Sequence, residues 1–116
     1  MKSLVDILLE EAKENKKYFD NYLDYAQIIK KEAGKLLGKV KVYIFGSIVK
    51  GDFNPSSDID ILIVVPKQLP FSQRTEIKVK IYEKIGFFSP FELHLINEEE
   101  YQSWYKNFLK DKIEVF

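Results

Sequence analysis

The sequence predicts an α+β domain of α/β-like character, a three-stranded mixed sheet flanked by helices in the order α-β-(short α)-β-α-β-α. Three observations carry this reading. An apolar stripe of helical period fills the first third of the chain, and three short, mainly apolar runs follow it, the first rich in β-branched and aromatic residues. The first two runs are joined by a short, turn-rich link, whereas the link between the second and third holds a helix. The 116 residues fit one domain over 1–116, with its chemical core at about 40–96.

From Ser3 to about Leu37, apolar or small residues recur at Val5, Leu8, Ala12, Phe19, Tyr22, Ala26, Ile29, Ala33 and Leu36, in steps of three and four. An unbroken helix of that length would run about 50 Å at a rise of 1.5 Å per residue, longer than such a domain is wide. A break is therefore expected near Asn15 or at Asp20-Asn21; otherwise part of the helix projects and packs on another subunit. Gly34 and Gly38 supply the stop. Val40 to Phe45 reads as a buried strand. Gly46 to Ser57 is turn-rich, with one short helical turn after Ser47. Ile59 to Val65 is a second strand, ended by Pro66 and Pro70. Ser72 is the expected cap of a helix to Ile85 with apolar face Ile77, Ile81 and Ile85, stopped by Gly86. Phe91 to Ile96 is a third strand. Asn97 and Glu100 then form a capping arrangement for a last helix carrying Tyr101, Trp104, Tyr105 and Phe108.

Composition narrows the function. Lys+Arg and Asp+Glu are both 18, which argues against a polybasic nucleic-acid wrapper. The absence of cysteine excludes a disulfide framework, a thiolate zinc site and a cysteine nucleophile. The amino end lacks the pattern of a signal peptide, and no stretch approaches the roughly 20 apolar residues of a membrane span. A soluble cytoplasmic domain is the expectation.

Strand polarity concentrates the chemistry. The short first link favours an antiparallel pair, and the helical second link permits a right-handed crossover to a parallel third strand. The end of the first strand and the starts of the other two then share one sheet edge, so Gly46-Ser47, Asp58-Asp60 and Glu92 converge. Asp58 and Asp60, two residues apart, point to one face at a Cα spacing of roughly 6.5–7 Å. Paired carboxylates on an apolar strand repel each other and lose hydration, and a hard divalent cation relieves both costs. Taken alone, such a pair also suits a solvated turn after Asn54-Pro55. Glu92, an isolated charge between Phe91 and Leu93, adds a third carboxylate, enough to bridge two metals; as an edge-strand charge it would instead discourage aggregation. Glycine directly after a strand permits a sharp turn with exposed N–H groups, and with the Ser47 hydroxyl this forms an anion cradle.

The segment FGSIVKGDFNPSSDIDILI, with Phe91-Glu92-Leu93 on a later strand, resembles the signature of the DNA polymerase β-like nucleotidyltransferase superfamily. It looks most like the small prokaryotic minimal nucleotidyltransferases (the MNT group), many of which are encoded beside a HEPN-domain protein as antitoxin and toxin. The resemblance covers roughly Val40 to Ile96. It implies a Mg²⁺-dependent transfer of a nucleoside monophosphate to a hydroxyl, with ATP as donor and a partner HEPN toxin as the favoured acceptor. Asp58, Asp60 and Glu92 would be the catalytic and metal-binding set of a two-metal site. Gly46 and Ser47 would bind the distal phosphate, with Lys50 at a position where many relatives carry arginine. Lysine keeps the charge and loses the bidentate fork. The rival reading is a binding module that neutralises its partner by occlusion, using the first helix and the C-terminal aromatics. The same surfaces suit a homo-oligomer, and nucleic acid is the disfavoured partner. The chain is also short for a domain that includes its own acceptor-binding half.

His94, two residues beyond Glu92 and so on the same face, is read chiefly as a hydrogen-bonded structural residue, with proton transfer as its functional alternative. Tyr101, Trp104, Tyr105 and Phe108 read as core or oligomer surface ahead of adenine stacking.

Overall fold

The protein is described here from a computed structural model, which covers residues 1–51, 57–108 and 110–116, with Trp104 and Phe108 by backbone alone. The Asn54-Pro55 turn and the side chains of Trp104 and Phe108 thus lie outside the described residues. Among them, no helix is long and apolar enough to cross a membrane.

Helix α1 (Leu4–Asp20) opens on a capping box in which the Ser3 and Asp6 side chains each accept from the other's backbone N–H. It ends at Asn21, whose backbone φ of −124° leaves the helical region and whose side-chain amide donates to the Lys17 carbonyl at 2.8 Å. The long helical stripe therefore breaks at Asn21, and Asn15 sits inside α1. Helix α2 (Tyr22–Leu37) ends at Gly38, which takes a φ of +80° open chiefly to glycine.

Strands β1 (Lys41–Phe45) and β2 (Ile59–Val65) fall where β-branched residues concentrate, and β3 (Phe91–Asn97) in a run of Phe, Leu and Ile. Helix α3 (Ser47–Lys50) is the short turn after β1. β1 and β2 are antiparallel, and β2 and β3 are parallel across α4 (Phe71–Ile85). The three-stranded expectation needs correction, because the sheet has four strands in the order β3-β2-β1-β4. β4 (Lys112–Val115) pairs antiparallel with β1, setting Val115 opposite Val42 and Ile113 opposite Ile44. Its four residues alternate charge and apolar side chain too briefly to register as a strand without a partner.

The expected Ser72 cap is also corrected. Pro70 holds the cap position of α4, and its carbonyl accepts from Arg74 N–H at 3.0 Å. Arg74 locks this corner by donating to the Leu69 carbonyl at 2.9 Å, to the Leu95 carbonyl at 3.1 Å and to Glu100 at 3.2 Å. The last helix begins with the anticipated Asn97–Glu100 capping box at α5 (Glu98–Glu100). It widens into a π-helical stretch, Tyr101–Tyr105, and closes with α6 (Lys106–Phe108).

One sheet face forms the main core. Val42, Ile44, Ile59, Ile61 and Ile63 are fully buried there with Ala26, Ile29 and Ala33 of α2 and Ile81 of α4. On the other face, Tyr43, Leu62, Val64 and Ile96 are covered by Tyr101. Among the described residues that cover reaches only part of the sheet, and the part beyond it carries the polar residues.

Candidate active site

The alternation of side chains along each strand places Phe45, Asp60, Glu92 and His94 on the same sheet face as Tyr43 and Leu62. Register then fixes their neighbours. Phe45 lies opposite Asp60, Asp60 lies opposite Glu92, and Leu62 lies opposite His94. Carboxylates at adjacent positions of two parallel strands, with an imidazole one side-chain step along, make a compact polar cluster. His94 Nε2 is 3.4 Å from Asp60 Oδ1 and 3.8 Å from Glu92 Oε1. One ligand atom from each of Asp60, Glu92 and His94 lies within 4.8 Å of the others.

The cluster is poised between core and solvent. Asp60 and His94 keep 23% and 31% of their side-chain surface and Glu92 keeps 53%, so hydration survives without full exposure. The Phe45 ring stands 5.4 Å from the imidazole, at 50° to it, and forms one wall. Asp58, directly before β2, is exposed and lies outside the three-residue cluster. The Ile59 N–H donates to the Pro90 carbonyl at 2.8 Å, which ties the approach to β2 against the approach to β3.

Gly46 links this cluster to the turn after β1. Its φ is +86°, and a Cβ built there would overlap Asp60 Oδ2. Both facts demand glycine: the conformation is strained for other residues, and the carboxylate occupies the space a side chain would need. Gly46 caps α3, and its carbonyl accepts from Val49 and Lys50 N–H at 3.2 and 3.3 Å. Ser47 is the first residue of that turn, whose leading N–H groups have no acceptor within the helix. Lys50, at its end, is exposed.

Behind β3, the Tyr82 hydroxyl donates to the Phe91 carbonyl at 2.8 Å and accepts from Leu93 N–H at 3.4 Å, gripping the strand on both sides of Glu92. Burial pushes the Tyr82 phenol up, and the charges of Glu92 and Asp58 push it the same way, against the lowering effect of the Leu93 hydrogen bond. Beyond the cluster, Tyr43 and Tyr101 stack at 5.3 Å, 9° from parallel. Burial and the Tyr101 contact hold the Tyr43 phenol far above its ordinary range.

His94 makes its expected hydrogen bond, from Nε2 to Asp60 Oδ1 at 3.4 Å. Its two-residue spacing from Glu92 was the available signal, and the structure brings it within reach of both carboxylates. Lys112, whose Nζ lies 5.8 Å from the Tyr43 ring centroid, borders the same face and was missed with β4.

Two carboxylates and an imidazole thus lie together beside a glycine turn on one face of a mixed sheet, a donor set that could hold a cation. Residues 26–115 match the nucleotidyltransferase domain family, and the chain belongs to it. It is 41% identical over 71 residues to the spectinomycin 9-adenylyltransferase of Staphylococcus aureus; the match covers 56% of this chain and 27% of that enzyme. The chain thus spans about a quarter of the length of the curated relatives it matches. A crystal structure from Sulfolobus solfataricus, provisionally assigned as a nucleotidyltransferase, superposes at a TM-score of 0.62 and 27% identity. That likeness covers 90% of this chain and 85% of the other. A second structure with the same provisional assignment aligns at a TM-score of 0.52 and 29% identity, covering 76% and 94%.

Proposed function

We propose that this domain transfers a nucleoside monophosphate from a nucleoside triphosphate to a hydroxyl, with ATP as donor and AMP as the group moved. The observation that carries the reading is the pairing of Asp60 and Glu92 across β2 and β3, directly beside the Gly46 turn. The adenylyl transfer named for the staphylococcal relatives favours AMP over other nucleotides.

In the reaction, the acceptor oxygen bonds to the α-phosphorus while the bond from that phosphorus to the bridging oxygen breaks, releasing pyrophosphate. The acceptor's proton leaves for Glu92 or for solvent. Asp58, Asp60 and Glu92 form the carboxylate set for two Mg²⁺ ions. The donor chemistry fits: carboxylate oxygens of Asp60 and Glu92 and a His94 nitrogen lie within 4.8 Å of one another on a partly hydrated face, with Asp58 exposed just before β2. Bound Mg²⁺ supplies Lewis-acid activation of the hydroxyl and neutralises the departing pyrophosphate. Gly46 admits the Asp60 carboxylate and, with Ser47, turns N–H groups toward the distal phosphate. Lys50 adds positive charge beside that phosphate as a point charge.

The acceptor hydroxyl belongs to a partner protein of the HEPN type, which makes the domain the antitoxin of a pair of the MNT kind. The staphylococcal relatives match over only 27% of their length, so their likeness bears on AMP transfer rather than on the acceptor. Incubation with the neighbouring gene product, Mg²⁺ and α-labelled ATP tests the proposal. Label transfer that disappears in Asp60→Asn and Glu92→Gln is expected. Absence of transfer, with tight binding and toxin neutralisation kept by both variants, would instead establish occlusion.

A further inference from the structure

The cluster that the fold assembles is not purely carboxylate. His94 offers Nε2 to the same point in space as Asp60 Oδ1 and Glu92 Oε1, at 3.4 and 3.8 Å. Both separations exceed the roughly 2.9 Å typical of hydrogen bonds to nitrogen; the shorter is a weak hydrogen bond and the longer is none. They do suit ligands of one cation: two neighbours on an octahedral ion with bonds of about 2.1 Å stand about 3 Å apart, and opposite ones about 4.2 Å. The ring is held toward the carboxylates by Phe45 on one side and by its register beside Leu62 on the other.

From this we infer that His94 is a further protein ligand of the site beside the carboxylates, and that its nitrogen shifts the preference of the site from Mg²⁺ toward Mn²⁺. The inference rests on the metal-dependent reading above. Mg²⁺ takes oxygen ligands and surrenders water reluctantly, whereas first-row transition ions accept imidazole nitrogen readily. A nitrogen among the donors therefore strengthens Mn²⁺ binding and does little for Mg²⁺. Mn²⁺ keeps the octahedral, oxygen-rich coordination that a triphosphate requires, so the preference leaves nucleotide binding intact.

The chain contains a single histidine, which makes the test unambiguous. Wild-type protein labelled with ¹⁵N-histidine is loaded with Mn²⁺ and examined by pulsed electron paramagnetic resonance, with an unlabelled sample as reference. A nitrogen coupling that changes isotope between the samples is expected. In parallel, Mn²⁺ and Mg²⁺ affinities are measured by calorimetry for wild type, His94→Ala and His94→Gln. Both variants should lose about tenfold or more in Mn²⁺ affinity and less than about twofold in Mg²⁺ affinity. Mn²⁺ bound without nitrogen coupling, or equal losses for both ions, would overturn the role of His94 and leave the carboxylate site standing. No uptake of either ion by wild type, with or without ATP, would overturn both. The spectroscopic arm needs no variant, so a folding defect in the substitutions does not obscure it.

Discussion

The two faces of the sheet carry the same strands and different physics. Toward α2 and α4, Ile44, Ile61 and Ile63 are wholly buried, and the buried polar residue of the sheet, Asn97, stands at the far end of β3 and accepts from Glu100 N–H. One residue along on β2, Asp60 faces the other way and keeps 23% of its side-chain surface, beside a half-exposed Glu92. The first face holds the domain together. The second keeps its groups partly hydrated, near one another and without strong mutual hydrogen bonds. Stability and reactivity are thus separated by alternate positions of a single strand, which lets the site tolerate charge repulsion that the core could not.

Substitutions on the two faces should therefore fail differently. Ile61→Ala removes a fully buried side chain and should cost about 2–5 kcal/mol in urea unfolding, by lost burial plus a residual cavity. Arg74→Ala breaks the corner that joins α4, β3 and the last helix, and about 2 kcal/mol is expected from three charge-assisted hydrogen bonds. Gly46→Ala lies between the two regimes. A left-handed φ and the approach of Asp60 should cost roughly 1–2 kcal/mol, and label transfer should fall by about tenfold or more as the carboxylate is displaced.

Tyr82→Phe should lose about 1 kcal/mol. It should also alter the alkaline limb of stability. The folded phenol titrates above its unfolded value near 10, so the folded state keeps its proton longer. That contribution is fully present below pH 10 and is lost as pH rises through the folded value; the variant should lack this part of the slope in pH-dependent denaturation. At the small end, Asp60→Asn and Glu92→Gln should change stability by no more than about 0.5 kcal/mol while abolishing transfer. A loss as large as that of Ile61→Ala in either variant would mean that the open face is structural after all.

Much of this division could be read from the residues themselves. The run Ile59 to Val65 shows an apolar strand with acid at its start, and Gly46-Ser47 stands where a turn must follow β1. What could not be read depended on partners. The link lengths already brought Asp58-Asp60 and Glu92 to one sheet edge, but the residue-by-residue register that sets Asp60 directly opposite Glu92 is encoded by neither segment alone. β4 exists because β1 offers it a free edge; its own four residues are too few to declare a strand. The helical period did not separate a break at Asn21 from one at Asn15; the local bond from the Asn21 side chain to the Lys17 carbonyl marks the break that forms. His94 looked ordinary because a lone histidine acquires meaning from neighbours on another strand.

The proposed function requires Asp60 and Glu92 together to hold a cation for a bound triphosphate. Calorimetric titration of Mg²⁺ into protein with a non-transferable ATP analogue tests it most directly. Wild type should show saturable uptake that Asp60→Asn and Glu92→Gln each lose, while Ile61→Ala retains it wherever the variant remains folded. Equal uptake by wild type and both carboxylate variants, or none by wild type, would contradict the account.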